Sequence, residues 1–453
     1  MARAFNGPQL DAARACAACV EGRGGRRLAL VQGPPGTGKT HCVLGILAAA
    51  FGAAPPTGAT IAPPRLGGTT LPSATPAARN SRRILLCAPS HCAVDELVRR
   101  VATSGILSSS GGTFRPSLLR LGPVAAIAAA SRPFALALRA RAEGRDGDRP
   151  RPGEASPKRP PRARLLAEAQ LVACTLSGAG ADDVSSGGRF DLVVVDEATQ
   201  GTDAALMIAM QHADACVLVG DHRQLPPTVL SAAAMRGGFG RSLFDRLVAQ
   251  GEPASLLTLQ YRMHPALSAF PSAQFYGGQL RDAVAAADRP PPPGLPIAGA
   301  PLAFVAVRGG AEETRGRSKC NRKEAEAVAA AVTALLRGGG VAADGVGVIS
   351  AYAAQTRMIE RALGKALPAA AAAMVEVSTV DGFQGREKEV ILLSCVRASE
   401  RGGLGFLADA RRVNVSITRA RRALVVFGHA ETLRRDRKTW RAFLDAGVPT
   451  VDA

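Results

Sequence analysis

An apolar run at residues 28–32 gives way to Gly33-Pro34-Pro35-Gly36-Thr37-Gly38-Lys39-Thr40, and a helical pattern follows. No other feature limits the possible folds of this 453-residue chain as much. The glycines let backbone N–H groups turn inward around phosphate oxygens, and the helix N-terminus behind them adds positive potential. The loop needs a buried strand in front and a helix behind, which is the unit of an α/β fold. In that setting Lys39 reaches the β and γ phosphates of a nucleotide, and the Thr40 hydroxyl ligates Mg²⁺.

A second apolar run, Val193-Val194-Val195, ends in Asp196-Glu197. Two carboxylates at the end of a buried strand suit a metal site. Asp196 would hold Mg²⁺ through water, and Glu197 would orient and deprotonate an attacking water. Taken singly, the pair reads equally as a helix start capped by Asp196. Beside a phosphate loop the catalytic reading is preferred. Further apolar runs lie at 84–88, 217–220, 302–307, 346–350, 390–395 and 424–428. Continuous apolar strands alternating with helices imply mostly parallel sheets buried on both faces. So many strands exceed one nucleotide-binding lobe, so two lobes are expected, at 1–248 and 249–453.

The formal net charge of +19 attracts polyanions, of which nucleic acid is the usual one. Arginine far outnumbers lysine, and Ala, Gly and Pro abound, so compositional drift is the competing source of that charge. The nine cysteines are scattered, and the lone Cys16/Cys19 pair lacks the second pair a zinc site requires. They read as reduced thiols of an intracellular protein, nuclear or cytoplasmic. The first residues lack the apolar core of a secretory leader, and no long apolar span predicts a membrane helix. Residues 53–81, 141–164 and 290–296 read as surface loops rich in Pro, Gly or Arg. The arginine–proline run at 141–164 reads as a solvated insert or as an arm that contacts nucleic acid.

Several other segments, in this order, carry a resemblance. They are Phe5-Asn6-Gly7-Pro8-Gln9, Ala88-Pro89-Ser90-His91, Cys174-Thr175 and Gly220-Asp221-His222-Arg223-Gln224-Leu225-Pro226-Pro227. Gln260-Tyr261-Arg262-Met263-His264-Pro265, Asp381-Gly382-Phe383-Gln384-Gly385-Arg386-Glu387-Lys388 and Arg412-Val413-Asn414-Val415-Ser416-Ile417-Thr418-Arg419-Ala420 complete the set. Together with the phosphate loop, they resemble superfamily 1 helicases of the group that holds the nonsense-mediated-decay RNA helicase and senataxin. The resemblance implies two tandem RecA-like lobes, each a mostly parallel sheet flanked by helices, with the nucleotide site between them.

By that resemblance, Gln9 reads the adenine edge, Tyr261 stacks on the base, and Gly385 and Glu387 meet the nucleoside. Gln224 senses the γ-phosphate, and Arg262 and Arg419 are the arginine fingers. A guanidinium fork suits phosphate better than an ammonium does. Pro89, Ser90, Thr175, Tyr352 and Thr379 match strand-contacting positions. Small polar residues at loop starts are equally turn formers and caps. Aromatics are only 4% of the chain, so base stacking is limited and binding should be sequence-independent and salt-sensitive.

The implied activity is ATP-dependent movement along single-stranded RNA or DNA, 5′ to 3′, by a monomeric motor. Two departures from the family are expected. The zinc module and its partners, and the small β-barrel inserted before the adenine-reading element, have no room here, so the chain reads as a minimal motor or a fragment. The insertion at about 101–164 reads as low in complexity and disordered. Loss of the barrel leaves a nucleotide-gated clamp, or a ribonucleoprotein remodeller that does not unwind, as the alternative. A generic phosphate-loop ATPase acting on proteins is the third reading.

Overall fold

The structure, a computed structural model, describes residues 4–22, 25–52, 82–108, 111–146, 161–399 and 402–453. It divides into two compact units. The first comprises Met1–Gly33, Gly38–His222 and Pro226–Leu257, and the second comprises Pro34–Thr37, Arg223–Leu225 and Thr258–Ala453.

The first unit is built on β1 (Leu28–Gln32), β2 (Ile84–Ala88), β3 (Leu118–Arg120), β4 (Leu171–Thr175), β5 (Leu192–Val195), β6 (Cys216–Gly220) and β7 (Ala254–Leu256). They form one sheet in the order β3-β4-β2-β5-β6-β1-β7, every neighbour parallel. Successive side chains of a strand point to opposite faces. Accordingly Leu192 and Val194 enter one core, and Val193 and Val195 the other. Helices α1 (Gly7–Val20), α2 (Lys39–Phe51), α3 (His91–Ser104), α4 (Leu136–Asp146) and α5 (Pro161–Glu168) belong to this unit.

The second unit holds β8 (Leu302–Ala306), β9 (Val346–Ser350), β10 (Glu376–Thr379), β11 (Lys388–Ser394), β12 (Ala420–Gly428) and β13 (Thr450–Asp452). Their order is β10-β9-β11-β12-β8-β13, again parallel throughout. Its helices include α6 (Pro265–Tyr276), α7 (Arg322–Gly338), α8 (Ala353–Ala366), α9 (Ala410–Ile417), α10 (Ala430–Leu433) and α11 (Trp440–Asp445). Ile391 and Leu393 pack on one face, and Val390 and Leu392 on the other. Each unit is thus a RecA-like lobe, a parallel sheet flanked by helices.

The insertion at about 101–164, expected to be disordered, carries ordered structure in its described residues, 101–108, 111–146 and 161–164. Residues 118–120 are the edge strand β3, and Leu118, Leu119, Leu121, Ile127, Ala135 and Leu136 are buried. The two ends of the stretch 141–164 lie in α4 and α5. Leu165 and Leu166, just past the stretch, are buried and anchor α5. Residues 53–81 and 147–160 lie outside the described residues. The proline-dense loop at 290–296 is anchored: Arg422 Nε donates to Pro290 O at 2.7 Å, and Leu295 is buried. Among the described residues, no helix is long and apolar enough to cross a membrane.

Candidate nucleotide and nucleic-acid sites

The phosphate loop leaves β1 with Gly33 N–H donating to Gly220 O at 2.9 Å, which ties the turn to the neighbouring strand β6. Gly36 and Gly38 have φ of 74° and 76°, the left-handed region that a Cβ disfavours. A Cβ on Gly33 would lie 2.0 Å from Lys39 Cγ, so the lysine stem runs where only glycine leaves room. Lys39 Nζ donates to Gly33 O at 2.8 Å and lies 3.9 Å from Glu197 Oε1. Thr40, the second residue of α2, is half-buried, and buried Thr37 donates its hydroxyl to Pro34 O at 2.7 Å.

Gln9 is brought to the same loop. It is buried, and a Cβ added at Gly38 would come within 3.0 Å of its Nε2. A capping box at the start of α1 holds it: Gln9 N–H donates to Asn6 Oδ1 at 2.9 Å, and Asn6 N–H to Gln9 Oε1 at 3.3 Å.

Strand β5, the middle strand of its sheet, delivers Asp196 and Glu197. Asp196 is 4% exposed, and burial, reinforced by the Glu197 charge and opposed by Lys39, pushes its carboxyl up to about 7. Glu197 has φ 51° and ψ 38°, a strained conformation for a residue with a side chain. Its N–H donates to Asp196 Oδ1 at 2.9 Å, and Gln200 Nε2 donates to its Oε2 at 3.0 Å. The donor set around the loop is hard oxygen: the Asp196 and Glu197 carboxylates and the Thr40 hydroxyl. Among the described residues no three His, Cys, Asp or Glu side chains could hold a metal by themselves. Such a set fits Mg²⁺ shared between a carboxylate, a hydroxyl and substrate phosphates rather than a closed protein cage.

In the second unit, Gln260 knots the turn that carries Tyr261 and Arg262. Fully buried, it accepts from the N–H groups of Arg262 at 3.0 Å and Met263 at 2.8 Å. Its Nε2 donates to Met263 O at 2.8 Å and Asp282 Oδ1 at 2.5 Å. Arg262 Nε donates to Glu387 Oε2 at 2.5 Å, and its Nη1 donates to Thr418 O at 3.0 Å. Burial raises the Glu387 carboxyl, but Arg262, with Arg421 and Arg419, outweighs it and holds the group below its ordinary value.

Arg419, 2% exposed, follows the C-terminal end of α9. Its Nε donates to Val415 O at 2.9 Å, and its Nη2 to Thr418 Oγ1 at 3.1 Å. The same Nη2 donates at 3.2 Å to Oε1 of Gln224, in the segment Arg223–Leu225 that packs with this unit. Tyr261 is 42% exposed, and Gly385 has φ 78°. Gln260 and Asn414 were given no role by sequence alone. Asn414 is fully buried and donates to Tyr276 Oη at 2.7 Å and Arg223 O at 2.8 Å. Their place beside Tyr261 and within the Arg412–Ala420 segment was the available signal.

The five strand-contacting candidates sit at the C-terminal ends of strands. Ala88 and Thr175 pair in register, so Pro89, Ser90 and Thr175 lie together after β2 and β4. Ser350 and Thr379 pair likewise, placing Tyr352 and Thr379 after β9 and β10. The serine and threonine oxygens are engaged locally. Ser90 caps α3 by accepting from Ala93 N–H at 3.2 Å, Thr175 accepts from Gly178 N–H at 3.1 Å, and Thr379 from Gly382 N–H at 3.3 Å. A hydroxyl that accepts still has its proton to donate. Tyr352 is buried, its hydroxyl donating to Leu404 O at 3.3 Å.

A triad of Asp95, Arg120 and the half-buried His91, next to Ser90, was not legible in the sequence. Arg120, wholly buried, donates from Nε to Asp95 Oδ1 at 2.9 Å and from Nη1 to Leu121 O. Its Nη2 lies 3.0 Å from His91 Nδ1, which must accept because a guanidinium only donates.

Two family models match, each described as an AAA domain, one on residues 4–151 and 153–232 and the other on 239–431. The chain is similar to the probable helicase MAGATAMA 3 of Arabidopsis thaliana, 33% identical over 491 residues, across 92% of this chain and 58% of that protein. It is 31% identical over 506 residues to helicase SEN1 of Saccharomyces cerevisiae, across 92% of this chain and 22% of that protein. To the ATP-dependent helicase NAM7 of the same yeast it is 35% identical over 439 residues, across 91% of this chain and 41% of that protein. The chain therefore spans from 22% to 58% of the length of these relatives.

Proposed function

The chain belongs to the superfamily 1 helicases of the group that contains the nonsense-mediated-decay RNA helicase and senataxin, and from that membership we propose that it hydrolyses ATP to move along single-stranded nucleic acid. The observation that supports this most is the cluster at the phosphate loop, with Lys39 3.9 Å from Glu197 at the end of the middle strand.

In this reading the amides of Gly33, Gly36, Thr37, Gly38 and Lys39 take the phosphates, with Pro34 and Pro35 stiffening the turn. The Lys39 ammonium exchanges the Gly33 carbonyl for β and γ oxygens. Thr40 and Asp196 would hold Mg²⁺, which when bound neutralises charge on the phosphates. Glu197 takes the proton of the attacking water, and Gln224 reports the γ-phosphate. Charge spreads over the γ-phosphoryl oxygens as the bond to the leaving group breaks, and Arg262 and Arg419 neutralise it. Gln9, Tyr261, Gly385 and Glu387 hold the nucleoside. Pro89, Ser90, Thr175, Tyr352 and Thr379 meet the strand backbone without reading bases. Family membership favours 5′ to 3′ movement, and backbone contacts accept RNA and DNA alike.

The test is ATP turnover with and without single-stranded RNA or DNA, beside strand displacement on a tailed duplex. Stimulation by the single strand is expected, and Arg419→Ala should lower the stimulated rate by about 10³-fold or more. Equal, near-zero turnover in both conditions would reject the motor. Stimulated turnover with no displacement from either tail would leave a clamp.

A further inference from the structure

Beyond the strand ends, the second unit carries a basic knuckle between α10 and α11. Arg434, Arg435, Arg437, Lys438 and Arg441 are all exposed. Arg434 pairs with Asp445. Asp436 is spent on the backbone, accepting from the N–H groups of Lys438 at 3.1 Å, Thr439 at 3.3 Å and Trp440 at 3.2 Å. Arg435 and Arg441 donate to carbonyls, of Gly402 at 3.3 Å and Arg434 at 3.1 Å. Neither they nor Arg437 and Lys438 pair with a carboxylate among the described residues. A carbonyl does not neutralise a guanidinium, so Arg435 and Arg441, like Arg437 and Lys438, are without an ion pair among the described residues.

The knuckle is also held rigidly. Trp440 is fully buried and donates from Nε1 to Leu407 O at 2.8 Å, and Gln274 Nε2 donates to Lys438 O at 3.0 Å. A flexible, solvated charge run would need neither anchor. Its position is specific too. His429 and Thr432 start α10 at the C-terminal end of β12, and Thr432 Oγ1 donates to Ser399 O at 3.3 Å. Arg435 meets Gly402, and Leu404 of the same loop accepts from Tyr352. Arg435 therefore adjoins the loop that follows β11, at the C-terminal end of the sheet where Tyr352 and Thr379 lie, and Arg437, Lys438 and Arg441 share its knuckle.

We propose that Arg435, Arg437, Lys438 and Arg441 form a phosphate-binding surface that extends the strand path of the second unit to nucleic acid lying beyond the motor's own grip. The proposal rests on the motor reading for the path it extends, but not on turnover. Compact, preorganised cations beside a strand path fit a polyphosphate backbone, and each neutralised phosphate of a single strand contributes about 0.7 to the salt slope.

The experiment replaces the four with glutamine (R435Q, R437Q, K438Q, R441Q), which keeps hydrogen-bond donors on exposed positions. Fluorescence anisotropy then follows binding of single strands of increasing length over a salt series. The salt slope for long strands should fall by about 2–3, and their affinity at low salt by roughly tenfold or more. Affinity for the shortest strand that stimulates turnover should be unchanged, as should turnover without nucleic acid. Unchanged slope and affinity at every length would overturn the proposal. So would an equal loss at all lengths, or wild-type binding to polyglutamate competing as well as the strand does. Wild-type turnover that no strand stimulates would instead count against the motor, while the anisotropy comparison would still decide the knuckle.

Discussion

Glu197 and Val396 are the non-glycine residues with positive φ among the described residues, at 51° and 70°, and each lies two residues beyond a middle strand of its own sheet. The strain is alike, but the surroundings are not. Glu197 keeps a partly exposed carboxylate that faces the Lys39 ammonium. Val396 is wholly buried, and two polar side chains grip its backbone. Glu324 Oε2 accepts from its N–H at 2.7 Å, and Asn321 Nδ2 donates to its carbonyl at 3.3 Å. A parallel sheet thus concentrates backbone strain where its middle strands end, the edge at which α/β folds bind ligands. Whether the strained residue works or only supports depends on its side chain. In the first unit the strain aims a carboxylate, and in the second it turns the chain toward Arg397 and the loop beneath the basic knuckle.

One substitution made at both places breaks or sharpens this contrast. Glu197→Gly accepts the same φ without the carboxylate. Stimulated ATP turnover should fall by about 10²–10⁴-fold, as loss of a general base does. The variant should nonetheless unfold at higher denaturant, since relief of a left-handed conformation contributes about 1 kcal/mol. Val396→Gly should do the reverse, keeping turnover while losing about 2 kcal/mol from the lost core side chain. Its comparison with Val396→Ala isolates strain. Elsewhere glycine costs more than alanine, by about 0.5–1 kcal/mol. Here the glycine variant should be at least as stable. A glycine variant clearly weaker than the alanine one would mean that no strain resides at Val396.

The first unit was the more legible from sequence, for a physical reason. A phosphate loop uses glycines at fixed offsets because backbone amides do the binding, so Gly36 and Gly38 could be placed before their φ values were known. Asp196 and Glu197 were legible because four apolar residues precede them in β5. Edge strand β3 was hidden because three residues carry no period, and one of them, Arg120, looks like surface until Asp95 and His91 bury its charge. The Val396 clamp was hidden because its parts, at 321, 324 and 394–396, are distant in sequence and unremarkable singly. Local chemistry can be read from spacing, whereas a tertiary polar network cannot.

Glu324 offers the gentlest test of the clamp. Burial pushes its carboxyl up to about 7, against the Ser394 hydroxyl and the Val396 and Cys395 amides, which pull it down. Its other oxygen, Oε1, is buried without a hydrogen-bond partner among the described residues. The folded-state value lies above the unfolded one, so the associated stability is fully present below about 4.5 and is lost as pH rises through about 7. From pH 6 to pH 8 the wild type should lose about 1 kcal/mol through this group. Glu324→Gln mimics the neutral acid: it keeps an oxygen for Ser394 and Val396 and leaves a donor where Oε1 stands. The variant should match wild type near pH 6 and exceed it by about 1 kcal/mol at pH 8, as read by denaturant unfolding. Parallel pH dependences for the two proteins would mean that the carboxylate is not held against its charge, and the Val396 turn would then need another support.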